Sequence, residues 1–412
     1  MLQQYLKLPR PVHILCLGMF INRAGSFIVP FLSIYISERL GFGVTFATMT
    51  IGAFGIGSMC GSLVGGHLAD HIGRRTVMLA GLFGGASVMI IMSQLSSRWA
   101  IMAAAFSLAL IADVYRPAAS AMIADLTTPH ERSLAFGLMY VAINLGFAIA
   151  PVVGGFLASR SFQLLFWGDA LTCALYGLII TKYIRETLPV SAPGLDAPDD
   201  DSTEQVSIAA AVRHILHDRP FITFCLASLL FAIVFMQSMS TLPLHMARLG
   251  ISARDYGLII AANGAMITIL QLPLTTQLNR FNRAHVVTVA ALVTGVGFGL
   301  MTFATLRWHF LAAVVIWTLG EIMQSPYMQA IVGDLAPVRM RARYMGVFTL
   351  MFALAISFGV PLGGQVLARF GGTTLWTSAF VISLIGAATY WSIRREIGNR
   401  PAPPPEGEAA AK

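Results

Sequence analysis

Residues 108–155 read LALIADVYRPAASAMIADLTTPHERSLAFGLMYVAINLGFAIAPVVGG, two apolar runs joined by a short polar loop. Asp113 and Arg116 fall inside the first run. A charge in lipid costs several kcal/mol unless it is paired, hydrated or needed for function. A second copy of the pattern lies 209 residues on. Pro117, Asp125-Leu126, Arg132, Gly137 and Gly154-Gly155 recur as Pro326, Asp334-Leu335, Arg341, Gly346 and Gly363-Gly364. The same offset carries Arg39-Leu40-Gly41 onto Arg248-Leu249-Gly250 and Arg74 onto Arg283. One constant offset over so much chain means two halves in register, and parallel membrane repeats of this kind place a site between the halves near mid-bilayer.

Composition supports a membrane chain. The 412 residues are 56% hydrophobic and 11% charged, against roughly 25% charged in an ordinary soluble protein. The net charge of +8 is spread over short loops, with no basic face or aromatic platform, so it does not point to nucleic acid. Cys16, Cys60, Cys173 and Cys225 each stand alone in an apolar run and read as small hydrophobes. No cleavable leader is apparent before the first apolar run.

A bilayer core needs roughly 20 apolar helical residues per crossing. The expected spans are 12–36, 44–68, 76–96, 99–124, 133–158 and 162–184, then 221–243, 254–277, 285–304, 308–333, 343–368 and 373–394. The expected organisation is an N-terminal six-helix half (1–185), a linker (186–219), a C-terminal six-helix half (220–395) and a disordered tail (396–412). Within the linker, Ser207 to His217 has the pattern of a short amphipathic helix on the membrane surface. Of the 27 Lys and Arg, eighteen fall on the side of the termini, seven on the other, and Arg23 and Arg116 in the membrane. The positive-inside rule then places both termini in the cytoplasm.

The loop after the second span reads Gly66-His-Leu-Ala-Asp70-His71-Ile-Gly73-Arg74-Arg75. This resembles the signature loop of the major facilitator superfamily, with His71 where a basic residue is usual. On the fifth span, Gly146, Ala150, Pro151, Gly154 and Gly155 are similar to the antiporter motif of that superfamily, with Ala150 in place of one Gly. The resemblance covers nearly the whole chain and is closest to the 12-helix drug:proton antiporters. It implies an all-α integral membrane fold of two pseudo-symmetric six-helix halves, not an enzyme, in a bacterial inner membrane. Protons would be the coupling ion, no other cofactor would be needed, and the partners would be a small-molecule substrate and membrane lipids, with the protein a monomer.

Residue roles follow from chemistry and from that resemblance. Gly66, Asp70, Gly73, Arg74, Arg75, Asp125 and Arg132 are expected to form a cytoplasmic latch. In it Gly66 permits close approach, Gly73 a tight turn, Asp70 faces the start of the eleventh helix and Arg74 pairs with Asp125. In the second repeat Asn279 and Asn282 replace Asp70 and Gly73, so a weaker latch is expected there. Asp113 and Arg116, three apart, share a helix face and can pair, either as a static pair or as part of coupling, with Arg23 a competitor for Asp113. Glu321 stands mid-span in the tenth helix with no basic residue within a helical turn, which suits either a group that binds and releases a proton or a permanently protonated packing residue. Asn22, Arg23, Asn144, Gln237, Asn263, Trp317 and Gln324 are candidate cavity groups, and each polar one equally suits interhelical hydrogen bonding. Asp169, about two turns into the sixth span, reads as wetted or snorkelling.

The expected function is proton-coupled efflux, by alternating access, of small, lipophilic or cationic compounds. Uptake of a peptide, sugar or organic acid is the alternative, since Asn22-Arg23 to Pro30 faintly resembles charged motifs of peptide symporters. A non-transporting receptor on the same fold is a further one. His214 and His217 have i, i+3 spacing but no third local ligand for a metal.

Overall fold

The computed structural model describes residues 7–187, 208–278, 280–337 and 340–399. The middle of the expected linker and residues 400–412 of the expected tail, together with Asn279 and Arg339, lie outside them. Among the described residues the structure is helical, with no strand.

The N-terminal half comprises α1 (Arg10–Arg39), α2 (Gly43–Ile72), α3 (Arg74–Met92), α4 (Arg98–Asp125), α5 (Pro129–Arg160) and α6 (Gln163–Tyr183). The C-terminal half comprises α7 (219–248), α8 (Ala253–Leu278), α9 (Arg283–Phe303), α10 (Arg307–Leu335), α11 (341–370) and α12 (372–392). Among the described residues, nine stretches are long and apolar enough to cross a membrane. The last of them, Arg343–Ser392, bends at Gly371, whose φ of 82° only glycine adopts freely, and so holds two rods. The rods α8 and α10 are of similar length, 26 and 29 residues, but are not among the nine. A linker helix, Ile208–His217, precedes α7 and buries Ile215 against the C-terminal half.

Two rods are broken at matching depths. In α1 the first helix stops at Ala24 and a second starts at Ile28. In α7 the helix gives way at Met236 to a tighter turn and resumes at Thr241. Adding 209 to the α1 break falls on the start of the α7 break, so the interruption belongs to the repeat.

The repeat also fixes how the halves touch, through α5 against α8 and α2 against α11. A Cβ on Gly264 would lie 2.6 Å from the Cα of Ala148, and one on Gly55 would lie 3.1 Å from Ser357 Oγ. These contacts are images of each other under the 209 offset. So are the approach of Gly257 to Gly155 and that of Gly364 to Thr48. Small residues let two backbones close in where lipid supplies no hydrophobic drive.

The apolar core is divided unevenly. At the end of the bundle far from the termini, one cluster joins both halves, including Phe31, Tyr35 and Phe166 with Leu242, Tyr256 and Phe310. Phe31 and Tyr256 meet edge to face across the halves, ring centres 5.5 Å apart. At the end that carries the termini each half keeps its own cluster, around Met78, Met122 and Ile180 in one and Phe224, Ile331 and Tyr344 in the other. The halves are therefore sealed together at the far end and packed separately at the terminal end.

Candidate functional site

The loop between α2 and α3 is held by a small polar knot. Gly73 turns the chain at φ 100°, a conformation that costs other residues strain. Glu186, at the end of the N-terminal half, accepts the backbone N–H groups of Arg74 at 2.8 Å and Arg75 at 3.0 Å. It thus caps the start of α3, whose N–H groups would otherwise lack partners. Glu186, the first residue of the expected linker, is thus tied to α3 of the N-terminal half. Arg74 lies 3.2 Å from Asp125 and 3.4 Å from Asp70, and its guanidinium also donates to the Ala69 carbonyl. Arg75 donates to the Thr181 carbonyl at 2.9 Å.

Two of the expected latch contacts are not made in this structure among the described residues. Asp70 is 65% exposed and its side chain pairs with Arg74, with no hydrogen bond to α11 among the described residues. Gly66 has nothing within 4 Å of where a Cβ would stand. Both follow from the separation of the halves at this end, which leaves the latch folded within the N-terminal half. Arg132 is exposed and joins none of these bonds. The second repeat is not simply a weaker copy either. Arg283 pairs with Asp334, the images of Arg74 and Asp125. Asn282 accepts the Ala284 N–H at 2.9 Å and so caps α9 itself, where Gly73 has no side chain and needs Glu186.

On the fifth helix, Gly146 packs on Arg23 and Ala24 of α1, Gly154 on Phe31, and Gly155 on Ala253 and Arg254 of α8, with the Pro151 carbonyl against Gly257. This motif therefore lies where α5 holds both α1 and the opposite half.

A cavity of about 230 Å³ opens inside the N-terminal half beside this seam. Its wall includes Asn22, Arg23, Ser58, Asp113, Tyr115, Arg116, Asp169 and Cys173, with Met239 and Ile356 reaching in from the C-terminal half. Arg116 meets Asp113 at 3.4 Å, and Asp113 also accepts a hydrogen bond from Ser58. Arg23 does not reach Asp113. It makes no side-chain hydrogen bond or ion pair among the described residues, and its Nε is buried without a partner.

Asp169 departs most from the sequence reading. It is 3% exposed and accepts the Ile28 N–H at 3.3 Å, across the break in α1. A buried carboxylate needs such partners, and a helix start released by a break supplies one. Cys173 is likewise more than a small hydrophobe: it accepts from Asn22 at 3.0 Å and its thiol faces Asp169 at 3.8 Å. Tyr115 donates to Asn22 at 3.2 Å and closes the chain from α4 through α1 to α6. Only the spacing of Asp169 and Cys173, one helical turn apart, hinted at this in the sequence.

In the C-terminal half, Asn263 donates to Glu321 at 2.6 Å and to Thr318 at 3.0 Å. No cation lies within ion-pair distance of Glu321 among the described residues. The other polar candidates sit elsewhere than the cavity. Trp317 is sealed between Phe235 and Phe298. Gln324 is fully buried and donates to Tyr390. Gln237 ties α7 to the Gly359 carbonyl of α11 at 3.1 Å, and Asn144 bonds back to the Tyr140 carbonyl of its own helix. Trp317, Gln324 and Gln237 are packed against neighbouring helices because their faces of the rods are turned inward, a matter of helix rotation, while Asn144 folds back on its own helix.

Two repeats, broken first helices, seams of small residues and ionisable side chains in the bundle now stand together. A family model described as Major Facilitator Superfamily matches residues 15–252 and 235–412. The chain belongs to the major facilitator superfamily. It is a multi-pass membrane transporter and not an enzyme. It is 27% identical over 376 residues to a Na(+), Li(+), K(+)/H(+) antiporter of Planococcus maritimus, covering 85% of this chain and 88% of that one. It is 24% identical over 383 residues to the multidrug resistance protein MdtH of Yersinia pestis, covering 90% and 91%. Its fold matches a crystal structure of a peptide transporter POT in complex with sulfate. The TM-score is 0.78 at 16% identity, covering 96% of this chain and 98% of that one.

Proposed function

We propose that this transporter exports small lipophilic compounds in exchange for protons, by alternating access across a bacterial inner membrane. The observation that carries the reading is Glu321. It is a carboxyl on α10 inside the bundle, held by Asn263 and without a cation beside it among the described residues. An isolated carboxylate in such surroundings is costly, and a proton is the neutraliser at hand. A group that carries a proton while the halves face one way, and gives it up while they face the other, couples the proton to the cycle. The Planococcus relative, named as a cation/H(+) antiporter, supports proton exchange, and the Yersinia relative, named for multidrug resistance, supports a drug-like substrate.

The Lys and Arg bias supports cytoplasmic termini. With that orientation the separated end faces the cytoplasm and the joined cluster closes the outside. The Arg74, Asp70 and Asp125 knot then waits for the opposite state, in which the cytoplasmic ends meet. Substrate and proton act only through unequal affinity for the two states.

The test is transport by the purified full chain in vesicles, using a compound found by ligand-dependent thermal shift. Wild type is expected to accumulate it as an imposed pH gradient collapses. Glu321→Gln, which keeps the bond to Asn263 but cannot ionise, is expected to retain exchange of labelled for unlabelled compound and lose accumulation. Accumulation by Glu321→Gln at the wild-type level overturns the coupling role.

A further inference from the structure

The charges that line the 230 Å³ cavity are not equally available. Both of its acids are engaged. Asp113 holds Arg116 and accepts from Ser58. Asp169 is 3% exposed, its oxygens turned to the Ile28 N–H and the Cys173 thiol. The two guanidiniums are not equally engaged. Arg116 meets Asp113 with its Nε at 3.4 Å and interacts with Tyr115, and its side chain remains 48% exposed. Arg23, on α1, has no hydrogen bond or ion pair from its side chain among the described residues. Arg116 is close enough to repel it, and Asp113 and Asp169 act on it in the opposite sense without an ion-pair contact.

A guanidinium without a side-chain partner at a cavity wall is open to a ligand, and a carboxylate or similar planar anion is its best complement. A second guanidinium facing the same space strengthens the demand, because an anion between them removes their repulsion. The uncharged part of the wall mixes small polar groups, Asn22, Ser26, Ser58 and Tyr115, with apolar ones, Val29, Leu108, Phe147, Met239 and Ile356. We infer that this cavity takes small aromatic or aliphatic compounds bearing an anionic group, either organic anions or zwitterions, with the anionic group docked on Arg23 and Arg116. This deepens the transport reading and rests on it for the claim that the ligand is cargo. It also departs from the sequence expectation of lipophilic or cationic compounds, which came from the resemblance to drug:proton antiporters.

The charge rule is testable without transport. Three flat probes of one shape differ only in head group: 2-naphthoate (anion), 2-naphthamide (neutral) and 2-naphthamidine (cation). Their binding to the purified full chain in detergent is followed by tryptophan fluorescence and by thermal stabilisation. The expected order of affinity is naphthoate, then naphthamide, then naphthamidine. Losing a charge-assisted hydrogen bond corresponds to about a ten-fold or greater change in affinity. Arg23→Gln is therefore expected to weaken naphthoate about ten-fold and leave naphthamide within about two-fold. Arg23→Lys is expected to restore part of the preference. Arg116→Gln serves as a second variant should Arg23→Gln unfold, and is expected to weaken naphthoate in the same direction. Equal binding of the three probes, preference for the cation, or no binding of any of them at millimolar concentration overturns the inference. So does an anion preference unchanged by both variants. Naphthoate binding that depends on Arg23, with no gradient-driven accumulation, supports the charge rule and refutes the proton-coupled reading instead.

Discussion

The α5–α8 seam makes a quantitative demand on Gly264. A Cβ there would stand 2.6 Å from the Cα and 2.8 Å from the Cβ of Ala148. Carbon atoms in contact prefer about 3.5–4.0 Å, so Gly264→Ala forces the rods apart by about 1 Å. The obstacle is backbone, which no side-chain rotation can clear. Overpacking of this kind costs about 1–3 kcal/mol. Alanine also gains roughly 1 kcal/mol of helix propensity over glycine, so the net loss is smaller than the strain. Gly333→Ala, on α10 with nothing within 4 Å of its Cβ position, provides the control. It gains the propensity and suffers no strain. The assay is thermal unfolding of both variants in one detergent, followed by intrinsic fluorescence. Gly264→Ala is expected to unfold below Gly333→Ala by an amount equivalent to about 1–3 kcal/mol. Adding Ala148→Gly to Gly264→Ala is expected to recover part of the difference, because the Cβ obstacle goes and the Cα obstacle stays. Equal unfolding temperatures for Gly264→Ala and Gly333→Ala would refute a backbone-to-backbone approach at this seam.

The two repeated ion pairs should differ in weight. Arg74 is 13% exposed and serves Asp70, Asp125 and the Ala69 carbonyl, while Arg283 is 46% exposed and serves Asp334. Thermal unfolding should show Arg74→Gln losing about 1–3 kcal/mol and Arg283→Gln losing less than about 1 kcal/mol; the reverse order would sink the reasoning. Glu131 closes a capping box at the start of α5, accepting the Thr128 N–H at 3.0 Å and the Thr128 hydroxyl at 2.8 Å. Hydrogen bonds from the Thr128 backbone and side chain hold its pKa below the usual carboxylate value. Its contribution is therefore present above the ordinary Glu pKa and lost as pH falls through the depressed folded value. The stability gap between wild type and Glu131→Gln is expected to be constant near neutral pH and to close in acid. A gap that widens on acidification would contradict the box.

Much of the fold and part of the site were legible in the residues alone. Hydrophobic run lengths marked the spans, because a bilayer imposes a minimum length on any helix that crosses it. The 209 offset did more, since a duplicated unit repeats its contacts as well as its letters. Arg74 with Asp125 and Arg283 with Asp334 are one contact written twice, and so are Ala148 with Gly264 and Ser357 with Gly55. Glu321 was visible as an isolated acid for the same reason: it breaks the repeat and has no basic neighbour along its helix.

What only the tertiary structure decided is which way each polar side chain faces and what meets it there. Trp317, Gln324 and Gln237 stand at span depths similar to Glu321, but the rotation of their rods turns them into packed neighbours. Glu186 is 112 residues from the N–H it caps, and Asp169 is 141 residues from the break it satisfies. Neither bond has a signature along the chain, because a helix shows its neighbours only at three and four residues. The charge offered to a ligand is the clearest case. Counting residues gives two acids and two bases in one cavity, and only their partners reveal that the acids are occupied and Arg23 is not.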